Sequence, residues 1–199
     1  MTSRTIKLTL LEELLGTASA NPEIFEEFIA SKAPEPEKTT GEEVDALPDV
    51  DEEIQKTTTV FSRDADGKPI LWDYQIKGFF KDACGMLRRV KGTKSSKLTA
   101  YKKVIDGLVF VGPRQIPVDF DGEMGHCSRP LRAQTAQGER VALARSETIP
   151  AGATITIEVT ALDEKLMDVI DEWLDYGKLR GLGQWRNSGK GKFDWSEVE

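Results

Sequence analysis

Five basic residues, Lys178, Arg180, Arg186, Lys190 and Lys192, lie between Gly177 and Phe193 with no acid among them. Two glycine pairs, Gly181/Gly183 and Gly189/Gly191, bracket Gln184, Trp185, Asn187 and Ser188. Glycine admits left-handed backbone and lets a ligand lie against the main chain. Successive exposed N–H groups form a concavity for anions. Lysine and arginine neutralise phosphates, and an indole gives a base a face to stack on. The stretch therefore has the chemistry of a phosphate or nucleotide site. It is not a P-loop, because the GxxxxGK[ST] order is absent. It is a poor Rossmann turn, because it follows a helix-like segment and not a strand. The plainer alternative is a hairpin turn at Gly-Lys-Gly with Trp185 in a core.

Catalytic groups are sparse. His126, the sole histidine, stands between Gly125 and Cys127. As a general acid or base it would need a second group, such as a lysine or tyrosine, as its partner. Asp119, Asp121 and Glu123 alternate in an acidic run that offers oxygen ligands to a divalent ion, although a solvated loop explains them more simply. Cys84 and Cys127 have no CxxC spacing, which gives neither a zinc site nor a disulfide framework. Cys84 lies near an apolar stripe and reads as packed. No nucleophile elbow, zinc motif or kinase motif is present. The expectation is binding rather than catalysis, with no cofactor and no metal.

The elements that must position these residues follow from periodicity. Thr5–Leu10 alternates apolar and polar, the pattern of a half-buried strand. Asn21-Pro22 opens a short helix over 22–31. The stretch from Ala33 to Gln55 is acidic and proline-containing, so residues 31–56 read as an insertion or linker. Thr57–Phe61 and Lys68–Trp72 flank an Asp-Gly turn as a hairpin. Asp73 is expected to cap a helix from Tyr74 to about Val90, apolar at Ile76, Phe79, Phe80, Ala83, Met86 and Leu87. Lys77, Lys81, Arg88 and Arg89 lie on its other face. Lys91–Thr99 is a loop, Leu108–Val111 a buried strand and 113–125 irregular. Arg129–Thr135 and Glu139–Glu147 form a second hairpin. Thr154–Thr160 is a strand, a helix runs from Asp163 to about Tyr176, and Lys192–Trp195 is a closing strand. Strands and helices mix without a βαβα rhythm. This predicts one α+β domain over 1–199, with an antiparallel, ferredoxin-like (RRM-like) sheet and helices on one face.

The 199 residues carry a net charge of −7, unevenly spread. Residues 1–60 hold 5 basic and 14 acidic residues, and residues 61–145 hold 16 basic and 9 acidic. Basic charge is thus local, which keeps a nucleic-acid partner open. No apolar run is long enough to span a bilayer and the first residues lack a signal-peptide core. With two cysteines this predicts a reducing, cytosolic location.

Three motifs occur in order. Gly181-x-Gly183-x5-Gly189-x-Gly191, after a helix and near the C-terminus, resembles the glycine-rich loop of the RAMP superfamily, the repeat-associated proteins of CRISPR systems. Asp66-Gly-Lys-Pro-Ile70 followed by Tyr74-Gln-Ile-Lys-Gly78 is similar to that family's G-x-P-x-I-P-G-S-S-L-K-G lead into its first helix, with Asp73-Tyr-Gln75 in place of Gly-Ser-Ser. Arg129 through Val159, with Thr135-Ala-Gln-Gly138 and Ser146-Glu-Thr-Ile-Pro-Ala-Gly152, resembles the hairpin and turn of the backbone-forming branch. The first strand fits as well, and only residues 31–56 fall outside. The wording around Asp73–Leu87 and Gly181–Phe193 is also similar to uncharacterised phage and prophage proteins.

The resemblance implies a non-catalytic protein that binds RNA, an oligonucleotide or a cyclic nucleotide. Lys178, Arg180, Gly181, Gly183, Trp185, Arg186, Ser188, Gly189, Lys190, Gly191 and Lys192 would form the loop site. Lys77, Arg129 and Arg132 would extend it, with Arg140 and Arg145 adding charge. CRISPR effector subunits and further copies of the chain are the implied protein partners. One alternative is a phage-encoded anti-defence protein that mimics a CRISPR subunit or sequesters an immune signalling nucleotide, with the acidic segment as its partner arm. Another is an endoribonuclease using His126.

Overall fold

A computed structural model describes residues 1–20, 58–135 and 138–198, with the side chains of 131–142 excepted. The expected helix at 22–31 and the acidic segment 31–56 lie outside the described residues. Three α-helices are described: α1 (Asp73–Leu87), α2 (Tyr101–Leu108) and α3 (Lys165–Arg180). They accompany two sheets, in a mixed, largely antiparallel α+β fold. Among the described residues no helix is long and apolar enough to cross a membrane.

The main sheet is built on β1 (Thr2–Leu10), which pairs antiparallel with β11 (Thr154–Ala161) on one side and β12 (Phe193–Val198) on the other. Strand β11 continues to β7 (Val109–Gly112) and β8 (Gln115–Asp119), and β8 to β6 (Pro69–Trp72) and β5 (Ser62–Arg63). Alternation decides the faces: Ile6, Leu8 and Leu10 are buried along with Ile155, Ile157 and Val159, while Thr5, Lys7, Thr156 and Glu158 are exposed. Period-two patterning over a one-sided core produces this division. The apolar stripes of α1 (Ile76, Phe79, Phe80, Ala83) and α3 (Leu166, Val169, Ile170, Trp173, Leu174) join the same core. Residues spaced by three and four along each helix fall on one face, which is why these positions meet.

The second sheet carries a long hairpin. Strands β9 (Gly125–Thr135) and β10 (Gly138–Ile149) pair over their whole length. The lower part of β10 also takes up β2 (Leu14–Leu15) and, in parallel, β4 (Thr58–Val60), which pairs with β3 (Ala18–Ser19).

Several sequence expectations need correction. The Asp-Gly turn exists, but its outer strand is the short β5, because the Thr58–Val60 segment leaves to join the second sheet. Trp72, not Asp73, caps α1: the Gln75 side chain accepts the Trp72 N–H at 2.7 Å, while Asp73 turns to Arg114. The stretch 113–125 contains β8, whose Ile116 and Val118 are buried. The strand at Leu108–Val111 is only partly buried, since Phe110 is exposed. Helix α2 had no counterpart in the sequence reading; its stripe is short, with Ile105 alone fully buried. The Lys91–Thr99 loop is pinned: Glu172 of α3 accepts the N–H groups of Lys94 and Ser95 and the Ser95 hydroxyl, and Trp173 donates to that hydroxyl at 2.9 Å.

Candidate nucleic-acid interface

The glycine-rich loop spans the end of α3 and the start of β12, and its glycines have distinct reasons. Gly181, Gly183, Gly189 and Gly191 all have positive φ, between 69° and 85°, the region that penalises a Cβ. A Cβ on Gly181 would lie 2.5 Å from the Lys190 carbonyl oxygen, and one on Gly191 would collide with the Leu182 carbonyl oxygen. The outer pair thus lets the two ends of the loop touch. Leu182 donates to the Gly191 carbonyl at 2.8 Å, and Gly191 to the Glu13 carbonyl at 2.8 Å. Just behind, the Phe193 ring occupies the space that a side chain at Gly177 would need and meets Phe79 edge-on at 5.2 Å.

Most of the loop cations are already paired, by acids distant in sequence. Asp82 of α1 accepts from Arg180 Nε and Arg186 Nη1, each at 2.9 Å. Lys190 is bound to the Glu13 carboxylate, whose hydrogen bond holds the ammonium above its ordinary range despite partial burial. Lys178 reaches Asp194 at 3.0 Å. The Asp82 hydrogen bond likewise raises the Arg180 guanidinium, which also donates to Asn187 Oδ1 at 2.7 Å. Among the described residues Lys192 has no ion pair; its side chain lies over Gly189.

Arg129, on β9, is placed differently. Its guanidinium carbon sits 4.8 Å from the centre of the Trp185 ring, within the range of a cation–π contact. One amino group donates to Gln184 Oε1 at 3.0 Å. Among the described residues Nε and Nη1 are buried with no hydrogen-bond partner, and no carboxylate touches this cation. Trp185 is itself left-handed, with φ 54°. Gln184 ties the assembly together, donating to the Gly16 carbonyl at 2.6 Å and to Thr59 Oγ1 at 3.1 Å. Sequence reading had passed Gln184 over as a generic polar residue, and its neighbours at 16, 59 and 129 left no local sign.

Two adjoining clefts share Gly183 and Arg186. One, about 320 Å³, is lined by Arg180, Gln184, Trp185 and Asn187. The other, about 260 Å³, runs between the loop and α1 along Gln75, Gly78, Phe79 and Leu182. Among the described residues the N–H groups of Gly183, Gln184 and Trp185 meet no acceptor, whereas those of Ser188 and Gly189 close a short turn.

The remaining candidates lie elsewhere. Lys77 is on the outer side of α1, over Phe110, and not in the loop. Arg132 is on the hairpin, but its side chain, like that of Arg140, lies outside the described residues. His126 is exposed on β9, opposite Glu147 in register. Asp119 pairs with Lys68 at 2.6 Å. Among the described residues no group of three His, Cys, Asp or Glu side chains is placed to hold a metal ion.

Two packed layers of antiparallel sheet and helix, with a long hairpin and a glycine-rich strap, define the architecture. The chain is similar in fold to a chain of the Type III-B Cmr-beta complex bound to cognate target RNA, solved by cryo-electron microscopy. The TM-score is 0.55 at 12% identity, over 99% of this chain and 60% of that chain. The likeness is one of fold, and this chain spans about 60% of the other's length. No family model and no curated protein matches the sequence.

Proposed function

We propose that this is a non-catalytic RNA-binding protein of RAMP type, which holds the RNA backbone where the glycine-rich loop meets the hairpin base. The observation that carries the proposal is the Arg129–Trp185 pair. It combines a cation that no described carboxylate neutralises, buried N–H groups with no partner among the described residues, and a left-handed tryptophan that lines the first cleft. Buried unpaired donors and strained backbone are costly and gather where a ligand completes the site. The N–H groups at 183–185 and the Lys192 ammonium, none of which has a partner among the described residues, supply further phosphate contacts. Trp185 supplies a stacking face.

The strand order β12–β1–β11–β7/β8, with α1 following the first of these strands in sequence and α3 leading to the last, supports a ferredoxin-like arrangement. The solved neighbour sits in an RNA-bound CRISPR complex, which supports RNA as the ligand and effector subunits as protein partners.

The test is fluorescence anisotropy with a labelled single-stranded RNA. Arg129→Gln is expected to weaken binding about tenfold, since a charge-assisted phosphate contact is lost, with circular dichroism unchanged. Unaltered affinity in a folded variant would remove this site from the interface.

A further inference from the structure

A second cluster of rings and cations stands outside the loop, where β6 runs into α1. The Trp72 and Tyr74 rings are nearly parallel, 10° apart in plane with centroids at 6.2 Å. Arg114, just before β8, lies over both, 5.6 Å from the Trp72 centre and 5.5 Å from that of Tyr74. The indole is fixed by its N–H donating to Ser62 Oγ at 3.1 Å. The guanidinium is fixed by Asp73, at 2.5 Å. Tyr74 is 54% exposed, and the Arg114 side chain 67%. One turn along α1, Lys77 lies 5.2 Å above the centre of Phe110, itself 46% exposed.

Exposed rings grouped with cations, here Tyr74 and Phe110 beside the half-buried Trp72, are the composition of an interaction surface. A protein's apolar face would have to desolvate the Arg114–Asp73 ion pair and the Lys77 ammonium that sit over these rings, which is costly. Nucleobases are different: they stack on aromatic rings and on guanidinium planes alike, and their phosphates are met by the flanking cations. The two carboxylates in the cluster are already engaged, Asp73 by Arg114 and Asp106 by Lys81. The cluster and the second cleft use the same first turns of α1, Tyr74 and Lys77 for the one and Gln75 and Gly78 for the other.

We infer that Tyr74, Arg114 and Trp72 form a base-stacking step for single-stranded RNA, with Phe110 and Lys77 as its continuation. This rests on the RNA reading above and adds to it a second, base-dependent contact area. The experiment compares oligoadenylate of about twelve nucleotides with an abasic ribose-phosphate chain of equal length, at one salt concentration. Tyr74→Ala is expected to weaken oligoadenylate binding about 5- to 100-fold, the loss of one stacked base. The abasic chain should bind that variant as it binds the wild type, and Tyr74→Phe should restore oligoadenylate affinity. If the wild type binds RNA and Arg129→Gln weakens it while Tyr74→Ala does not, the stacking step is wrong and the loop site stands. If the wild-type chain binds neither polymer, the RNA reading fails and the stacking step fails with it.

Discussion

Leu182 and Gly191 hold the two ends of the glycine-rich loop together: the N–H of one meets the carbonyl of the other at 2.8 Å, and a Cβ on Gly191 would strike the Leu182 carbonyl oxygen. Gly191→Ala therefore combines left-handed strain with a backbone collision. A cost of at least about 2 kcal/mol is expected, which for a chain of this size lowers Tm by about 4–8 °C. Gly67→Ala is the control, because Gly67 also has positive φ (79°) but open space around it. Its cost should stay near about 1 kcal/mol. Differential scanning calorimetry of the two variants separates collision from strain.

Asp82 holds Arg180 and Arg186 in one grip. Removing its charge leaves both guanidinium groups beside the cleft with no acid to cancel them. Asp82→Asn is expected to raise RNA affinity several-fold, about 1 kcal/mol. The dependence of binding on salt should steepen by about one to two counterions. Anisotropy titrations at several salt concentrations read both quantities.

The ion pairs fix the pH response. The Lys178 hydrogen bond, with help from the Trp195 N–H, holds Asp194 below its ordinary 3.8, and the Lys81 hydrogen bond does the same to Asp106. A depressed carboxyl pKa stabilises the fold above the unfolded value and loses that effect as pH falls through the folded one. Lys190 is shifted upward from 10.5 by Glu13, so its contribution is complete below that value and fades as pH rises through the folded pKa. The contribution of these three groups should be level between about pH 5 and pH 9 and should fall away at both ends. Urea midpoints across pH measure this, and Asp194→Asn should lessen the acid limb, leaving the share of Asp106, without altering the alkaline one.

Gln184→Ala should destabilise the fold by about 1–3 kcal/mol, because the Gly16 carbonyl, Thr59 and Arg129 all lose a partner. Urea denaturation checks this.

Much of the fold was legible because burial repeats at fixed periods. Ile6, Leu8 and Leu10 announce a strand, and Ile76, Phe79, Phe80 and Ala83 announce a helix. Strand β8 was hidden by Pro113 and Pro117 and by its short length, and α2 by a stripe with a single deeply buried residue. The site was legible in composition but not in charge. The run from Gly177 to Phe193 contains no acid, which reads as strongly basic. Asp82, Glu13 and Asp194 reach it from a helix, a turn and the next strand, and pairing between distant segments leaves no local pattern. Arg129 stood out among the arginines only once Trp185 was beside it.

The closed base of the loop has a mechanical consequence. With Phe193 wedged against Gly177 and the chain cross-tied at Leu182 and Gly191, the outer glycines act as rivets. Gly183 is packed as well, since a Cβ there would lie 3.0 Å from Leu14 Cδ1 and 3.2 Å from the Leu15 carbonyl oxygen, and only Gly189 has no more than the Lys192 side chain nearby. With Gln184 tied to Gly16 and Thr59, Arg186 to Asp82 and Asn187 to Arg180, the tip is clamped as firmly as the base, and the loop behaves as a rigid bracket.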